Sequence, residues 1–165
     1  DAAIRLVQGL KAKGLRVDGI GEQAHWGVDD PPLAAIDDAL GAMRAAGLVP
    51  LITELDMDVL PRDPDMWGAD LARKATIRAA TNVYPDGLPP AVQEKLARRY
   101  ADVFTLFLKH GVGRVTFWGV TDATSWLHDF PIPGRVNYPL LWDREGREKP
   151  AFAAVAEVLR THAGR

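Results

Sequence analysis

The chain has no cysteine, so disulfide bonds and thiolate metal sites are excluded. It has no apolar run near the roughly 18 residues that a membrane-spanning helix needs. Its formal net charge is only −2, so neither the basic surface of a nucleic-acid-binding domain nor a polybasic membrane patch is indicated. A phosphate-binding loop is missing too, because Gly19-Ile20-Gly21 lacks the rest of the dinucleotide-binding motif. The sequence therefore predicts a protein with no nucleic-acid or membrane partner.

What is present is the composition of an ordinary globular domain, with 165 residues of which 47% are hydrophobic and 25% charged. The chain starts at Asp1, without an initiating methionine, and a helical pattern begins almost at once. We therefore expect it to be cut from a larger protein.

A helix, a glycine stop and a short strand occur three times along the chain, with the stops at Gly14, Gly47 and Gly111. Strands are predicted at 15–21, 48–55 and 115–120, and helices at 2–13, 33–46, 71–80, 91–109 and 150–161. Residues 56–70 are predicted to be a loop and residues 121–144 irregular. Asp29 and Asp30, before two prolines, predict the N-cap of the second helix. The alternation predicts an α/β fold with parallel strands. Three strands are too few for a whole barrel of about 250 residues, so we predict the last part of a (β/α)8 barrel.

The second strand ends in three acids at alternate positions: Glu54, Asp56 and Asp58. Alternate residues of a strand share a face, and acids facing the inside of a sheet cost free energy unless something pairs with or uses them. Glu54 stands where a parallel strand ends, which is where such folds place their chemistry. It is a candidate nucleophile or general base. The alternative is a carboxylate paired with an arginine or capping the next helix.

Gln23 and His25 alternate on the neighbouring segment and so share a face. If the two strands are adjacent, His25 reaches Glu54 or Asp56 and can orient a carboxylate. The alternatives are a core histidine bonded to the backbone, or a metal site of His25, Glu54 and Asp56. The spacing matches no metal motif, so we expect no metal and no cofactor.

Trp118 and Trp126 flank a polar segment after the third strand. Their indole rings offer flat apolar faces suited to sugar rings. Two such rings near the three acids of the second strand favour a carbohydrate over a phosphate ligand. The alternative is that they only close the top of the core, the role expected for Trp26, Trp67 and Trp142.

Three segments resemble family 10 glycoside hydrolases, which are retaining endo-β-1,4-xylanases with a (β/α)8 barrel. They are Asp18-Gly19-Ile20-Gly21-Glu22-Gln23-Ala24-His25-Trp26, Ile52-Thr53-Glu54-Leu55-Asp56-Met57-Asp58-Val59-Leu60, and Thr116-Phe117-Trp118-Gly119-Val120-Thr121-Asp122 with Ser125-Trp126. The C-terminal Asp129-Phe130-Pro131, Pro139-Leu140-Leu141-Trp142-Asp143 and Lys149-Pro150-Ala151-Phe152 also fit. The resemblance covers essentially residues 1–165, as part of one catalytic domain.

The resemblance implies a role for each matching residue. Glu54 corresponds to the catalytic nucleophile, His25 hydrogen-bonds it, and Asp56 pairs with His25. Gln23 lies beside them, and Trp118 and Trp126 line the sites for the bound xylose. The predicted strands become the sixth, seventh and eighth of the barrel, and Asp58, past the strand end, is expected to be a solvated loop acid.

The family's acid/base glutamate follows an asparagine at the end of the fourth strand, and no Asn-Glu pair occurs in this sequence. We therefore expect a C-terminal fragment of a xylanase, inactive alone, whose partners are xylan, xylo-oligosaccharides and the missing N-terminal part of the barrel. Secretion is implied only by the resemblance and its polymeric substrate. The alternatives are a non-catalytic carbohydrate-binding module and a partial barrel that self-associates through open strand edges.

Overall fold

A computed structural model of the chain describes residues 2–63 and 71–164. The helices in these ranges are α1 (Ala2–Ala12), α2 (Leu33–Ala45), α3 (Leu71–Thr81), α4 (Pro90–Lys109) and α5 (Pro150–Ala163). The strands are β1 (Gly19–Glu22), β2 (His25–Gly27), β3 (Val49–Asp58) and β4 (Val115–Phe117). The predicted helices are confirmed to within two residues at each end. Among the described residues, none of the helices is long and apolar enough to cross a membrane.

The strands form one parallel sheet with β3 at its centre. One edge of β3 pairs first with β1, where Gly19 is opposite Val49, and then with β2, where His25 is opposite Asp56. The other edge pairs with β4. The parallel arrangement is therefore confirmed, and it aligns the ends of all the strands at the edge where Glu54 and His25 lie.

Two irregularities in these strands were not predicted. The first predicted strand is shifted and broken, because Ala24 adopts a left-handed backbone conformation (φ 67°) between β1 and β2. The second is a bulge in β3. Ile52 pairs with Val115 and Leu55 with Phe117, so β3 has one residue more than β4 between these two pairs. A bulge adds one residue and shifts the alternation of side chains. Ile52 and Leu55 consequently both face the core, and Glu54 faces away from it.

Helices α2, α4 and α5 cover the outer face of the sheet in one apolar core. Ile52, Leu55 and Met57 on β3 are fully buried, as are Tyr100 and Val103 on α4. At roughly 1.5–3 kcal/mol for each large apolar side chain, this layer fixes β3 against the helices. It makes β3 a rigid support for the acids that the strand carries.

The predicted aspartate N-cap of α2 is wrong. The helix begins at Leu33 after Pro32, and no side chain caps it. Asp29 instead accepts a 2.7 Å hydrogen bond from Lys95 of α4, and Asp30 lies 3.5 Å from Arg62. Both carboxylates thus pair with residues distant in sequence instead of capping the helix.

Candidate active site

The structure brings Glu54, His25 and Gln23 together at the bulge of β3. Nε2 of His25 lies 3.1 Å from Oε2 of Glu54, and the Gln23 side-chain amide donates to Oε1 at 3.5 Å. The Glu54 backbone N–H also donates to the Gln23 carbonyl, at 3.0 Å. The side chain of Glu54 is 22% exposed, so its carboxylate is held by both neighbours and still open to solvent.

The backbone at Ala24 explains why both Gln23 and His25 reach the same acid. Its left-handed conformation lies outside the extended region of a strand and turns the chain between β1 and β2. Ala24 is buried, and its carbonyl accepts a 3.4 Å hydrogen bond from the Asp56 backbone N–H. Packing and hydrogen bonding therefore hold this backbone conformation in place.

Asp56 lies behind His25 and is fully buried. Its Oδ1 is 3.1 Å from Nδ1 of His25, and its Oδ2 accepts a 2.5 Å hydrogen bond from the indole N–H of Trp126. Burial raises the pKa of Asp56, because a desolvated carboxylate is disfavoured, and the hydrogen bonds from Trp126 and His25 oppose that shift. Asp56 therefore contacts the nucleophile candidate only through His25.

Both ring nitrogens of His25 face a carboxylate oxygen. A neutral imidazole has one N–H, so it can donate to only one of two ionised carboxylates, whereas an imidazolium donates to both. His25 thus links the buried Asp56 carboxyl to the accessible Glu54 carboxyl. The predicted contact of His25 with both acids is present in the structure.

Two tryptophans lie beside this chain of contacts. The Trp126 ring packs edge-on against His25 at 5.0 Å between centroids, and the Trp118 ring does so at 6.2 Å. Trp118 is 46% exposed, and its backbone N–H donates to the Leu55 carbonyl at 3.0 Å. The site therefore combines an accessible carboxylate with an exposed aromatic ring.

The other three tryptophans were predicted to close the core. Trp26 and Trp142 do so, since both are partly buried and pack against it. Trp67 lies outside the described residues.

The prediction that Asp58 is a solvated loop acid is wrong. Asp58 is the last residue of β3, is 3% exposed, and accepts hydrogen bonds from Asn137 at 2.6 Å and from the Leu60 backbone at 2.9 Å. Arg135, fully buried, lies 3.5 Å away, and Arg62 lies 3.4 Å away. Only the pattern of alternate acids signalled burial, because Arg135 and Asn137 are 77 and 79 residues further along the chain.

A buried ion pair fixes the loop that carries the tryptophans. Nζ of Lys149 lies 2.8 Å from Asp122, and it also donates to the Tyr138 carbonyl at 2.7 Å. Burial raises the pKa of Asp122 and lowers that of Lys149, and the attraction between the two opposes both shifts. The Leu140 backbone N–H also donates a hydrogen bond to Oδ1 of Asp122, at 2.9 Å. This pair ties the segment after β4 to the start of α5.

In the parts of the chain that the structure describes, no group of three His, Asp or Glu side chains is arranged to hold a metal ion. The contacts between His25 and the two acids are 3.1 Å hydrogen bonds. Ligands to a common metal would instead point their donor atoms at one shared position, about 2.0–2.2 Å from it for zinc. The geometry is that of a hydrogen-bonded chain.

A family model described as glycosyl hydrolase family 10 matches residues 1–158. The chain belongs to glycosyl hydrolase family 10. The endo-1,4-beta-xylanase A of Xylanibacter ruminicola is 37% identical to it over 164 residues, which are 98% of this chain and 44% of that protein. The endo-1,4-beta-xylanase of Geobacillus stearothermophilus is 36% identical over 155 residues, 93% of this chain and 42% of that protein.

Solved structures of family 10 enzymes share the fold. A GH10 endoxylanase from a sugarcane soil metagenome superposes with a TM-score of 0.78 at 39% identity, covering 97% of this chain and 44% of that one. The GH10 xylanase of Thermobacillus composti gives 0.76 at 34% identity, covering 96% and 47%. The predicted partial (β/α)8 barrel is therefore confirmed. The chain spans less than half the length of the curated relatives it matches.

Proposed function

We propose that the chain supplies the nucleophile half of the active site of a retaining endo-1,4-β-xylanase, with Glu54 as the nucleophile. The observation that carries this is the position of Glu54. It is partly exposed at a strand bulge and held by Gln23 and His25, and the rings of two tryptophans pack against that histidine. The xylanases among its family 10 relatives support xylan as the substrate.

The reaction is a double displacement at the anomeric carbon of a xylose unit. An oxygen of Glu54 forms a bond to that carbon while the glycosidic C–O bond breaks, and an acid group gives its proton to the departing sugar oxygen. Water then attacks the same carbon, the former acid takes the water's proton, and the bond to Glu54 breaks. The sugar leaves with its original anomeric configuration.

The structure around Glu54 suits the first of these steps. A nucleophilic carboxylate must be held in place for attack. The Gln23 amide N–H, 3.5 Å from Oε1, and Nε2 of His25, 3.1 Å from Oε2, hold the two oxygens of Glu54. When the glycosyl bond forms, Glu54 loses its negative charge. Asp56 still faces the other ring nitrogen at 3.1 Å, so the imidazole stays oriented through the cycle.

We propose that the acid/base group is not supplied by this chain. Retaining glycosidases need a second carboxyl about 5–5.5 Å from the nucleophile and free to meet the leaving oxygen. Asp56 is fully buried and bonded to His25 and Trp126, so it cannot meet substrate. We therefore propose that the chain alone hydrolyses xylan negligibly and that the acid/base comes from another part of the barrel.

Substrate binding on this side of the cleft falls to Trp118, Trp126 and Gln23. The exposed indole of Trp118 offers an apolar face to a xylose ring, and the Gln23 amide, which donates to Glu54 at 3.5 Å, offers its oxygen to a sugar hydroxyl beside the nucleophile. A related mutant structure, 30% identical and with a TM-score of 0.73, was solved in complex with xylotriose. Because xylan is a polymer, we propose that the enzyme acts outside the cytoplasm.

The test is a fused barrel, in which this chain replaces the matching segment of the Xylanibacter ruminicola xylanase. We expect xylan hydrolysis by the fused barrel, at least 100-fold less by the 165-residue chain, and loss of activity on Glu54→Ala. The matched control is Glu157→Ala, an exposed change on α5. If the 165-residue chain hydrolyses xylan as fast as the fused barrel does, the proposal that the chain lacks the acid/base group is wrong. Tight binding of xylo-oligosaccharides by a folded but inactive fused barrel would instead favour a carbohydrate-binding module.

A further inference from the structure

Trp126 makes a contact that stacking on a sugar does not require. Its indole N–H points at Asp56 and donates to Oδ2 at 2.5 Å, while its ring lies 5.0 Å from the His25 ring. Trp118, the other tryptophan of the site, contacts His25 only through its ring, at 6.2 Å. The two tryptophans are therefore placed differently relative to the buried acid.

The donor matters because Asp56 is buried. A desolvated carboxylate needs hydrogen bonds to remain charged, and bonds to a charged acceptor are stronger than neutral ones. Each oxygen of Asp56 has one side-chain donor: His25 on Oδ1 and Trp126 on Oδ2. Two other titratable groups of the described part of the chain act on Asp56 or respond to it. Arg62 favours the ionised form of Asp56, and burial and Asp56 both raise the pKa of Tyr100 on α4.

We propose that Trp126 is a positioning residue for the nucleophile, acting through its indole N–H on Asp56 and, through His25, on Glu54. The bond fixes the Asp56 carboxylate in its plane, and the remaining oxygen then orients the Nδ1–H of His25. That leaves Nε2 directed at Glu54, 3.1 Å away. This inference rests on the proposed nucleophile, and it assigns to Trp126 a role separate from its contact with sugar.

The direct test removes the N–H and keeps the ring. Replacement of Trp126 by 3-benzothienylalanine does so, because sulfur takes the place of the N–H in a bicyclic ring of the same shape. Trp126→Phe is a second variant, which removes the N–H but leaves a smaller aromatic ring. The matched control is Trp118→Phe. The readout is the carboxyl carbon resonance of Asp56 in 13C-aspartate-labelled chain, assigned by its loss in Asp56→Asn and followed against pH.

We expect both Trp126 changes to raise the pKa of Asp56 by about one unit, since losing a hydrogen bond to the charged form disfavours it. Trp118→Phe leaves that pKa unchanged. An unchanged Asp56 titration in both Trp126 variants overturns the proposal. So does a shift in Trp126→Phe that the sulfur isostere does not reproduce, because that result assigns the effect to packing.

Activity then separates this inference from the proposed function. In the fused barrel, the sulfur isostere should lower kcat about tenfold with less than a twofold change in KM, because the sugar-binding ring remains. Trp118→Phe should act mainly on KM. If the Asp56 titration shifts while the fused barrel shows no hydrolysis of any xylan, the proposed function fails and the Trp126–Asp56 bond stands. A normal kcat with a shifted titration overturns the positioning role alone.

Discussion

His25 and Glu54 face each other across the junction of β2 and β3, with Nε2 of the histidine 3.1 Å from Oε2 of the glutamate. The other ring nitrogen of His25 is equally close to buried Asp56. The histidine is thus the one bridge between an accessible carboxylate and a buried one, among the residues that the structure describes.

Replacing His25 by asparagine should lower kcat/KM of the fused barrel by about 10- to 100-fold. A hydrogen bond to a charged group contributes about 1.5–3 kcal/mol, and both bonds of the imidazole would be lost or misplaced. Steady-state kinetics on xylan measure the effect. His162→Asn is the control, because His162 is exposed in the last turn of α5. Equal losses in the two variants would contradict a specific role for His25.

Asp56 should make folding stability depend on pH in a defined direction. Burial raises its folded pKa above the unfolded value, so its contribution is fully present below the unfolded pKa, near 3.8, and is lost as pH rises through the folded pKa. Asp56→Asn should therefore become more stable relative to the parent as pH rises, by about 1.4 kcal/mol for each unit of the shift. Urea unfolding of both proteins from pH 3 to 8 measures the difference. A difference that does not vary with pH would show that burial leaves the carboxyl unperturbed.

Lys149→Met should destabilise the fold by about 3–5 kcal/mol, because it leaves the buried Asp122 carboxylate without its cation. Lys95→Met is the matched control. Its exposed pair with Asp29 has a similar distance, 2.7 Å, but should contribute only about 0–1 kcal/mol. Chemical denaturation of the two variants gives the comparison. Similar losses in both would mean that burial does not set the strength of the Asp122–Lys149 pair.

Ala24→Val should cost about 2–4 kcal/mol, because a β-branched residue fits a left-handed backbone poorly and the site is buried in the core. Ala34→Val, on the exposed side of α2, should cost less than about 0.7 kcal/mol. Ala24→Gly should be close to neutral, since glycine adopts this conformation freely but loses a buried methyl group. Thermal unfolding ranks the three. Should Ala24→Val unfold like the parent, the break between β1 and β2 would not be strained.

The sequence was enough to find the chain Asp56–His25–Glu54. Alternation along a strand places Glu54 with Asp56, and the helix–strand repeat makes the two segments neighbours. Alternation also predicts Gln23 beside His25, but in the structure the turn at Ala24 brings these two side chains together. The family followed from three short motifs. Helix positions were also predictable, because apolar periodicity, prolines and glycine stops are local signals.

The errors have a common physical cause, which is contact between residues distant in sequence. The sequence predicts Asp58 to be in solvent, but Asn137 and Arg135, which follow much later in the chain, contact it and bury it. The bond from Trp126 to Asp56 spans 70 residues and has no local signature. The bulge next to Glu54 depends on pairing with β4, so the strand's own sequence does not reveal it.

The most direct test of the account is to identify the residue that becomes glycosylated. The fused barrel is incubated with a 2-deoxy-2-fluoro-xylobioside bearing a good leaving group, which slows hydrolysis of the glycosyl-enzyme, and the protein is digested and analysed by mass spectrometry. We expect one fluoroxylobiosyl group on the peptide containing Glu54, and none in Glu54→Gln. A covalent adduct on any other carboxylate, or hydrolysis of xylan that persists in Glu54→Gln, would contradict the assignment of Glu54 as the nucleophile.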